Sequence, residues 1–313
     1  MQINIIGKRY LFFLISAIII IPGLILLAYE ASTGQLPLAI DFTGGSLTEV
    51  KLDTGELPLP AEVVTHLENK GYEDVKVQTT GEGTLVIRTV ALDETQQGSL
   101  IRSLQEEFAA DLTVLRAESV GATIGREVAI RAAEAVAVAA IIVVLFITFA
   151  FRGVPHAFRY GICAILAMMH DVAVVLSITA IGSWFFGWQI DALFLTALLT
   201  VIGFSVQDKI VVFDRIRENR NIYKRLPFET LVNHSVVQTL QRSINTQLMT
   251  VEFMLLSLAL FGGVTLREFA VILLIGLLSG TYSSIFIASS TLVVWENREW
   301  TWWFNRKQKP AAA

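Results

Sequence analysis

Six apolar stretches divide the chain, and each is close to the length that a membrane-spanning helix needs. A helix crosses the hydrocarbon core of a bilayer with about 20 mostly apolar residues. The first stretch follows Lys8 and Arg9, as in a signal peptide, but it is as long as a full span and no A-x-A-like cleavage site follows it. We therefore interpret it as a retained helix. The pattern predicts six transmembrane helices, at Tyr10–Tyr29, Ala132–Phe151, Tyr160–Ile181, Ile190–Phe213, Thr246–Phe261 and Phe269–Trp295.

Lysine and arginine are distributed unevenly between the connections. They precede the first stretch and follow the second, fourth and sixth, whereas Gly182–Gln189 and Gly262–Leu266 contain neither. Because basic residues stay on the cytoplasmic side, we expect both termini to be cytoplasmic and residues 31–127 to be extracytoplasmic. The predicted divisions are the N-terminus with helix one at 1–30, an outer domain at 31–127, helices two to six at 128–296, and a cytoplasmic tail at 297–313.

The region 31–127 has the pattern of a folded α+β domain. Strands are predicted where apolar residues alternate, and helices where they recur every three to four residues. A proline near its start and Gly71 at its end delimit the first helix, and Gly81-Glu82-Gly83 indicates a hairpin. The order βαββαβ predicts a ferredoxin-like fold, which by itself identifies no function. The elements are Ser46–Leu52, Pro60–Lys70, Val75–Thr80, Thr84–Thr89, Thr95–Phe108 and Leu112–Ser119.

Composition agrees with a membrane protein. Only 17% of the residues are charged and 54% are apolar, whereas soluble domains are about a quarter charged. The single cysteine, Cys163, lies in an apolar stretch and cannot form a disulfide within the chain. The four histidines lack metal-ligand spacing, and no soluble-enzyme motif occurs. We therefore predict no enzyme activity, no metal and no cofactor.

Four motifs occur in an order that covers most of the chain. Asp41-Phe42-Thr43-Gly44-Gly45 resembles the D-F-x-G-G motif of the SecD/SecF family of protein-export membrane proteins. Residues 200–219, TVIGFSVQDKIVVFDRIREN, are similar to the signature T-V-I-G-Y-S-x-N-D-T-V-V-V-F-D-R-I-R-E-N of that family. His170-Asp171-Val172 and the segment 280–288 match two further family motifs. Together the motifs identify the chain as a member of this family.

The resemblance implies a helper of the SecYEG channel that acts with SecD and couples proton flow to the export of unfolded polypeptides. The length favours the SecF type, since SecD-type chains are longer and carry a larger outer region. The resemblance also implies a multi-pass protein of the prokaryotic plasma (inner) membrane. The implied partners are SecD, SecYEG, the translocating polypeptide and membrane lipid, with no nucleic acid.

The chain departs from the family pattern at five positions. Gln207 replaces an asparagine, and Lys209 replaces a threonine next to Asp208. Ala122 and Ser290 replace prolines, and Glu252 lies where the family has an apolar residue. These departures raise the question of whether proton coupling is arranged as in other members.

Ionisable residues inside the predicted spans are the candidates for function. An aspartate at the centre of a membrane helix costs roughly 2.5–3.5 kcal/mol, so it is expected to face a bundle interior, a cavity or a partner. Asp171 lies halfway along the third span and Asp208 lies in the fourth. The proton-coupling candidates are these two residues with His170 and Arg215. Alternatively, the carboxylates are structural and Arg215 belongs to a charge cluster that sets topology.

Two further groups of residues each have two interpretations. Lys209 and Glu252 fall at similar predicted depths and are candidates for an ion pair within the membrane. Alternatively, Lys209 extends to the headgroups while Glu252 stays protonated. In the outer-domain motif of Asp41, Phe42, Gly44 and Gly45, the glycines either allow a turn that side chains would block or take part in gripping substrate.

Three classes of function are compatible with six spans and one outer domain. The first is a proton-driven accessory of protein export, and the second is a half-transporter of the resistance-nodulation-division type for small molecules or lipids. The third is a structural subunit without conduction. An outer domain with one βαββαβ unit is small for a drug-export porter, which favours the first class.

Overall fold

The structure is a computed structural model, and it describes residues 4–34, 36–52, 57–80, 83–108, 112–152, 157–247, 253–261 and 264–299. The chain divides into two compact units. The first unit comprises Met1–Tyr29, Val136–Ile178 and Thr196–Ala313, and the second comprises Glu30–Ala135 and Thr179–Leu195. The second unit therefore adds a short segment from far along the chain to the region predicted as the outer domain.

Helices dominate the described residues. Along the chain they are α1 Arg9–Thr33, α2 Ile40–Thr43, α3 Pro60–Asn69, α4 Glu94–Phe108, α5 Ala122–Ala150, α6 Ala157–Phe186, α7 Ala192–Ile222, α8 Phe228–Gln247, α9 Phe253–Phe261, α10 Val264–Tyr282 and α11 Ser289–Glu296. A 3₁₀ turn at Ile6–Lys8 precedes α1, and a π-helical segment at Ser283–Ala288 joins α10 to α11.

Among the described residues, five helical stretches are long and apolar enough to cross a membrane. They are Ile6–Thr33, Ala122–Ala150, Phe158–Phe186, Ala192–Ile222 and Leu266–Glu296. These stretches match the predicted spans one, two, three, four and six, and they extend further because the helices continue into polar sequence. The predicted fifth span includes residues 248–252, which lie outside the described residues, so the count of six stays a prediction.

The second unit contains one antiparallel sheet of four strands. The strands are β1 Gly45–Leu52, β2 Lys76–Thr79, β3 Thr84–Thr89 and β4 Leu112–Val120. Their order in the sheet is β2-β3-β1-β4, and every neighbouring pair is antiparallel. Helix α3 lies between β1 and β2 in sequence, and α4 lies between β3 and β4. Two residues of the predicted hairpin turn, Gly81 and Glu82, lie outside the described residues.

The core of this unit forms between the sheet and the two helices. Alternate residues of a strand point to one face, and residues four apart on a helix lie on one side. Leu85 and Ile87 of β3 and Val63 and Leu67 of α3 follow these two spacings and are buried together. The remaining buried members of the core are Val50, Leu52, Val75, Leu92, Leu100 and Leu104.

Helix α8 was not predicted from the sequence. Its buried residues recur every three to four positions, so one face of the helix is packed. That face contains Ser235, Thr239, Ser243 and Gln247 as well as apolar residues, so a search for hydrophobic periodicity passes over it. Asn219 of α7 donates hydrogen bonds to Ser235 Oγ at 2.8 Å and to Gln238 Oε1 at 2.9 Å, which attaches α8 to α7.

Candidate functional site

Asp171 lies at the middle of α6 and is 1% exposed. Its Oδ1 atom is 3.1 Å from His170 Nδ1 and accepts a hydrogen bond from Ser279 Oγ at 2.8 Å. Its Oδ2 atom accepts from Ser283 Oγ at 2.7 Å and also from Ser205 Oγ. The carboxylate therefore joins α6 to α7, to α10 and to the π-helical segment.

Lys209 of α7 brings a positive charge to the same carboxylate. Its Nζ atom is 2.8 Å from Asp171 Oδ2, and the lysine side chain is fully buried. The ammonium also donates to the carbonyl oxygen of Ser205 at 3.3 Å and contacts Ser205 Oγ. All three donor positions of the ammonium thus have a partner, and the chain contains a buried ion pair at the centre of its membrane helices.

A second line of polar contacts leads from Asp171 to α1. In the tautomer with its proton on Nδ1, His170 donates to the Asp171 carboxylate and leaves Nε2 as an acceptor. His170 Nε2 lies 2.8 Å from Ser16 Oγ, and the imidazole ring stacks on Tyr282 with centroids 6.0 Å apart. Tyr282 donates to the carbonyl oxygen of Phe12 at 2.8 Å. His170, a predicted site residue, therefore connects Asp171 with the first helix.

Asp208 has a different environment, although it adjoins Lys209 in sequence. It is 7% exposed, and its Oδ2 atom accepts a hydrogen bond from Gln247 Nε2 of α8 at 3.3 Å. Gln247 Oε1 and Ser243 Oγ are buried without a hydrogen-bond partner. Among the ion pairs of the described residues none involves Asp208.

The helices around the ion pair approach closely because α10 carries small residues. A Cβ atom added at Gly276 would lie 2.2 Å from Val201 Cγ2, and one at Gly280 would lie 3.3 Å from the backbone of Ser205. The π-helical segment begins directly after Tyr282 and presents Ser283 to Asp171. π-helical turns are frequent at functional sites. Two small residues and one irregular turn therefore place the serine donors.

Arg215 lies apart from this cluster. It donates to Gln238 Oε1 at 2.8 Å and to Glu218 Oε2 at 2.8 Å, and about two-fifths of its side chain is exposed. The neighbouring pair of Arg217 and Asp214 is similarly exposed. Exposed pairs of this kind are compatible with both interpretations of Arg215, as a coupling residue or as part of a topology-setting charge cluster.

The outer-domain motif forms a capped connection inside the second unit. Asp41 Oδ2 accepts a hydrogen bond from the backbone N–H of Ala192, the first residue of α7, at 3.0 Å. Asp191 Oδ1 accepts from the N–H of Phe194 at 2.7 Å. Carboxylates stabilise a helix N-terminus by accepting from its free N–H groups. Burial raises the pKa of Asp191, and the neighbouring Asp41 adds to this shift, while the bond from Phe194 opposes it.

The two glycines of that motif meet a steric requirement. Gly44 has a φ of 74° and Gly45 a φ of 122°. A Cβ atom on Gly44 would lie 2.6 Å from Ala122 Cα, and one on Gly45 would lie 2.8 Å from the carbonyl oxygen of Thr89. Both positions exclude other side chains, which accounts for the glycines through backbone geometry. Phe42 forms part of α2, the short helix just before them.

The sequence analysis missed several residues of the site, and for Lys209 it predicted a different partner. Glu252, the predicted partner of Lys209, lies outside the described residues, so that pairing stays a prediction; among the described residues Lys209 binds Asp171. Ser16, Ser205 and Ser279 were not selected, because a single serine in an apolar stretch is not by itself unusual. Among the described residues, no three His, Cys, Asp or Glu side chains come together as a possible metal site.

Comparison with known proteins gives consistent matches over the whole chain. Residues 100–298 match the family model of the protein export membrane protein SecD/SecF, C-terminal. The chain is 61% identical over 312 residues to the protein translocase subunit SecF of Anaerolinea thermophila, with 100% of both chains covered. It is 47% identical over 326 residues to the subunit of the same name from Thermobaculum terrenum, again with 100% of both covered.

A solved structure gives the same result. The crystal structure of SecDF, a translocon-associated membrane protein from Thermus thermophilus, matches with a TM-score of 0.80 and 31% identity. The match covers 95% of this chain and 39% of that longer chain. With five long apolar helices among the residues that the structure describes, the protein is a multi-pass membrane protein. The chain belongs to the SecD/SecF family of protein-export membrane proteins.

Proposed function

We propose that the chain is a SecF-type accessory subunit of the Sec translocase. In this proposal it acts with SecD and uses the proton motive force to promote export of unfolded polypeptides through SecYEG. The relatives that match over their full length carry the name of such a subunit. The observation that carries the proposal is the pair of buried carboxylates, Asp171 and Asp208, at the centre of long apolar helices.

Buried carboxylates of this kind are suited to proton coupling. A charge at membrane depth is costly, and ionisable residues there commonly mark proton relays. Protonation of one carboxylate removes its charge and with it the preference for nearby donors. The helices that supply those donors can then adopt another arrangement, which is how a local change in charge biases a two-state element. Asp171, Asp208 and His170 are the proposed coupling residues, with Arg215 at the membrane edge.

The proposed architecture has six transmembrane helices, with the fifth passing through α9. Both termini are cytoplasmic in this proposal, and residues 31–127 form an extracytoplasmic domain of ferredoxin-like fold. The antiparallel sheet order β2-β3-β1-β4, with one helix after β1 and one after β3, supports that fold. The uneven distribution of basic residues supports the topology. A half-transporter for small molecules or lipids has no comparable observation in its favour.

The proposal is tested by removing the charge of Asp208 without changing its shape. We expect Asp208→Asn to insert normally but to abolish the proton-motive-force-dependent part of preprotein export into inverted membrane vesicles. Asp214→Asn is the matched control, because Asp214 is an exposed aspartate on the same helix, paired with Arg217. Full force-dependent export by Asp208→Asn, at normal abundance, would contradict a coupling role for this residue.

A further inference from the structure

We propose that Lys209 is a built-in counter-cation that keeps Asp171 ionised throughout the working cycle, and that Asp208 is the carboxylate that exchanges a proton. This inference deepens the proposed function, and its consequence for coupling rests on that function. It assigns different roles to two aspartates that the sequence treats alike. It also gives a role to Lys209, the fully buried lysine of α7.

The first argument is that the acceptor positions of Asp171 are filled. Two carboxylate oxygens offer about four lone-pair positions. Asp171 has five partners, namely the His170 imidazole, the Lys209 ammonium and the hydroxyls of Ser205, Ser279 and Ser283. A proton on either oxygen would meet a donor that already points at that oxygen. The arrangement of donors is therefore built for the ionised form.

The second argument concerns charge. The Lys209 ammonium is 0% exposed and the Asp171 carboxylate is 1% exposed, with 2.8 Å between Nζ and Oδ2. An isolated charge in such a place is unfavourable, whereas a close pair with further hydrogen bonds compensates both charges. The ammonium is held on its own helix by the carbonyl oxygen of Ser205. The amine is covalently attached to α7, so it cannot diffuse away from the carboxylate.

The third argument is the contrast with Asp208. Its carboxylate accepts a hydrogen bond from the Gln247 amide at the long distance of 3.3 Å, Thr281 is a further hydrogen-bonding neighbour, and among the described residues no ion pair includes it. On α8, the helix that supplies this amide, Gln247 Oε1 and Ser243 Oγ are buried and have no hydrogen-bond partner among the described residues. A protonated Asp208 carries an O–H group, which can donate a hydrogen bond to an acceptor of this kind. The surroundings of Asp208 therefore accommodate its protonated form, while those of Asp171 favour the ionised form.

The other charged and titratable groups around the pair do not change this assignment. From α6, His170 faces Asp171 through Nδ1, and from α7 the groups are Lys209 and, one position away, Asp208. Ser279 of α10 and Ser283 of the π-helical segment contribute hydroxyls, Tyr282 of α10 stacks on His170, and Arg242 of α8 is near Asp208 but not in contact with Asp171. From α1, Ser16 reaches the pair through His170. Lys209 is thus the cation in direct contact with Asp171 among the described basic residues of these helices.

The experiment is infrared difference spectroscopy of the full-length protein in detergent near neutral pH, where exposed carboxyl groups are ionised. The C=O stretching band arises from protonated carboxyl groups, so at this pH it reports which buried acids are protonated. We expect Asp171→Asn to show the same band as the wild type. As the pH is lowered, we expect Asp208→Asn to lack band intensity that the wild type shows. We expect Lys209→Met to add a band that the double variant Lys209→Met/Asp171→Asn lacks.

The double variant Lys209→Met/Asp171→Asn also controls for misfolding. It has no unpaired buried charge at these two positions, so it is expected to fold even if Lys209→Met alone does not. Loss of an acid band in Asp171→Asn would overturn the inference, as would the absence of a new band in Lys209→Met. The proposed function fails separately. Suppose that Asp208→Asn retains full force-dependent export while the infrared results are as expected. The assignment of the ion pair is then kept, and the coupling role of Asp208 is rejected.

Discussion

At the scale of single residues, the polar groups inside the membrane helices differ in how completely they are paired. The Asp171 carboxylate and the Lys209 ammonium have partners at every position, whereas Gln247 and Ser243 each leave an acceptor unused. A fully paired buried charge contributes little net stability, but breaking it from one side is costly. The consequences of substitution therefore depend on whether one partner or both are removed.

We expect a double-mutant cycle on Lys209 and Asp171 to show strong coupling. Lys209→Met alone leaves a buried carboxylate and should cost about 3–5 kcal/mol, while adding Asp171→Asn should recover most of that loss. The measurement is thermal unfolding of the purified protein in detergent. The surface pair Arg215 and Glu218 is the control, and its neutralisation should change stability by less than about 1 kcal/mol. Additive losses at Lys209 and Asp171 would contradict the pairing.

Asp191 offers a prediction about pH. Its pKa is raised above the usual value by burial and by Asp41, so in the folded state its charged form is disfavoured. Asp191→Asn keeps an acceptor for Phe194 and should stabilise the protein at neutral pH. As the pH falls through the raised pKa toward the unfolded value, the wild-type residue becomes neutral and the gain should disappear. Melting curves of both proteins at several pH values test this, and a gain independent of pH would refute it.

At the scale of helices, close packing positions the ion pair. Gly276 and Gly280 let α10 approach α7 at the level of Val201 and Ser205. Small residues allow this approach in membrane helices. The π-helical segment that follows turns Ser283 toward Asp171. The ion pair therefore depends on residues that make no polar contact with it.

Adding a methyl group at Gly276 should separate these helices. We expect Gly276→Ala to cost about 1–3 kcal/mol, because its Cβ would overlap Val201 Cγ2. Gly203→Ala in α7 is the matched control, since a Cβ there meets nothing within 4 Å and alanine favours a helix by about 0.5–1 kcal/mol. Thermal unfolding in detergent compares the two variants. Equal stability of both would show that the contact at Gly276 yields without cost.

At the scale of the whole molecule, the chain forms two compact units whose residues alternate along the sequence. The sheet and its helices share a core whose buried members all lie between Val50 and Leu104. The segment Ala39–Thr43, which comes just before this core in the sequence, depends on residues beyond that region. Ala39 donates to the carbonyl oxygen of Ile190, and Asp41 accepts from Ala192.

We therefore expect residues 31–127, produced alone, to be soluble and monomeric with mixed α and β content. A domain of this size has enough interior for a core of its own. Amide hydrogen exchange should show protection in β1 and β3 but not at Ala39–Thr43, whose partners near Ile190 are missing. Circular dichroism and exchange measured by NMR test both parts. A disordered spectrum would refute an independently folding domain.

The sequence by itself determined the features that depend on local pattern. Apolar length gave the five membrane helices among the described residues, because the bilayer thickness sets a minimum run of apolar side chains. Alternation and helical spacing gave the strands and helices of residues 45–120. The motifs around Asp41, Asp171 and Asp208 gave the family. Each of these features can be recognised from neighbouring positions alone.

The tertiary structure decided which side chains meet. Predicted depth in the membrane says nothing about which way a helix faces, so the sequence could not show that Lys209 points toward Asp171, as it does in the structure. Helix α8 escaped notice because its packed face is partly polar, and with it the contact from Gln247 to Asp208. The different surroundings of the two aspartates arise from contacts between helices distant in sequence, and no local pattern encodes such contacts.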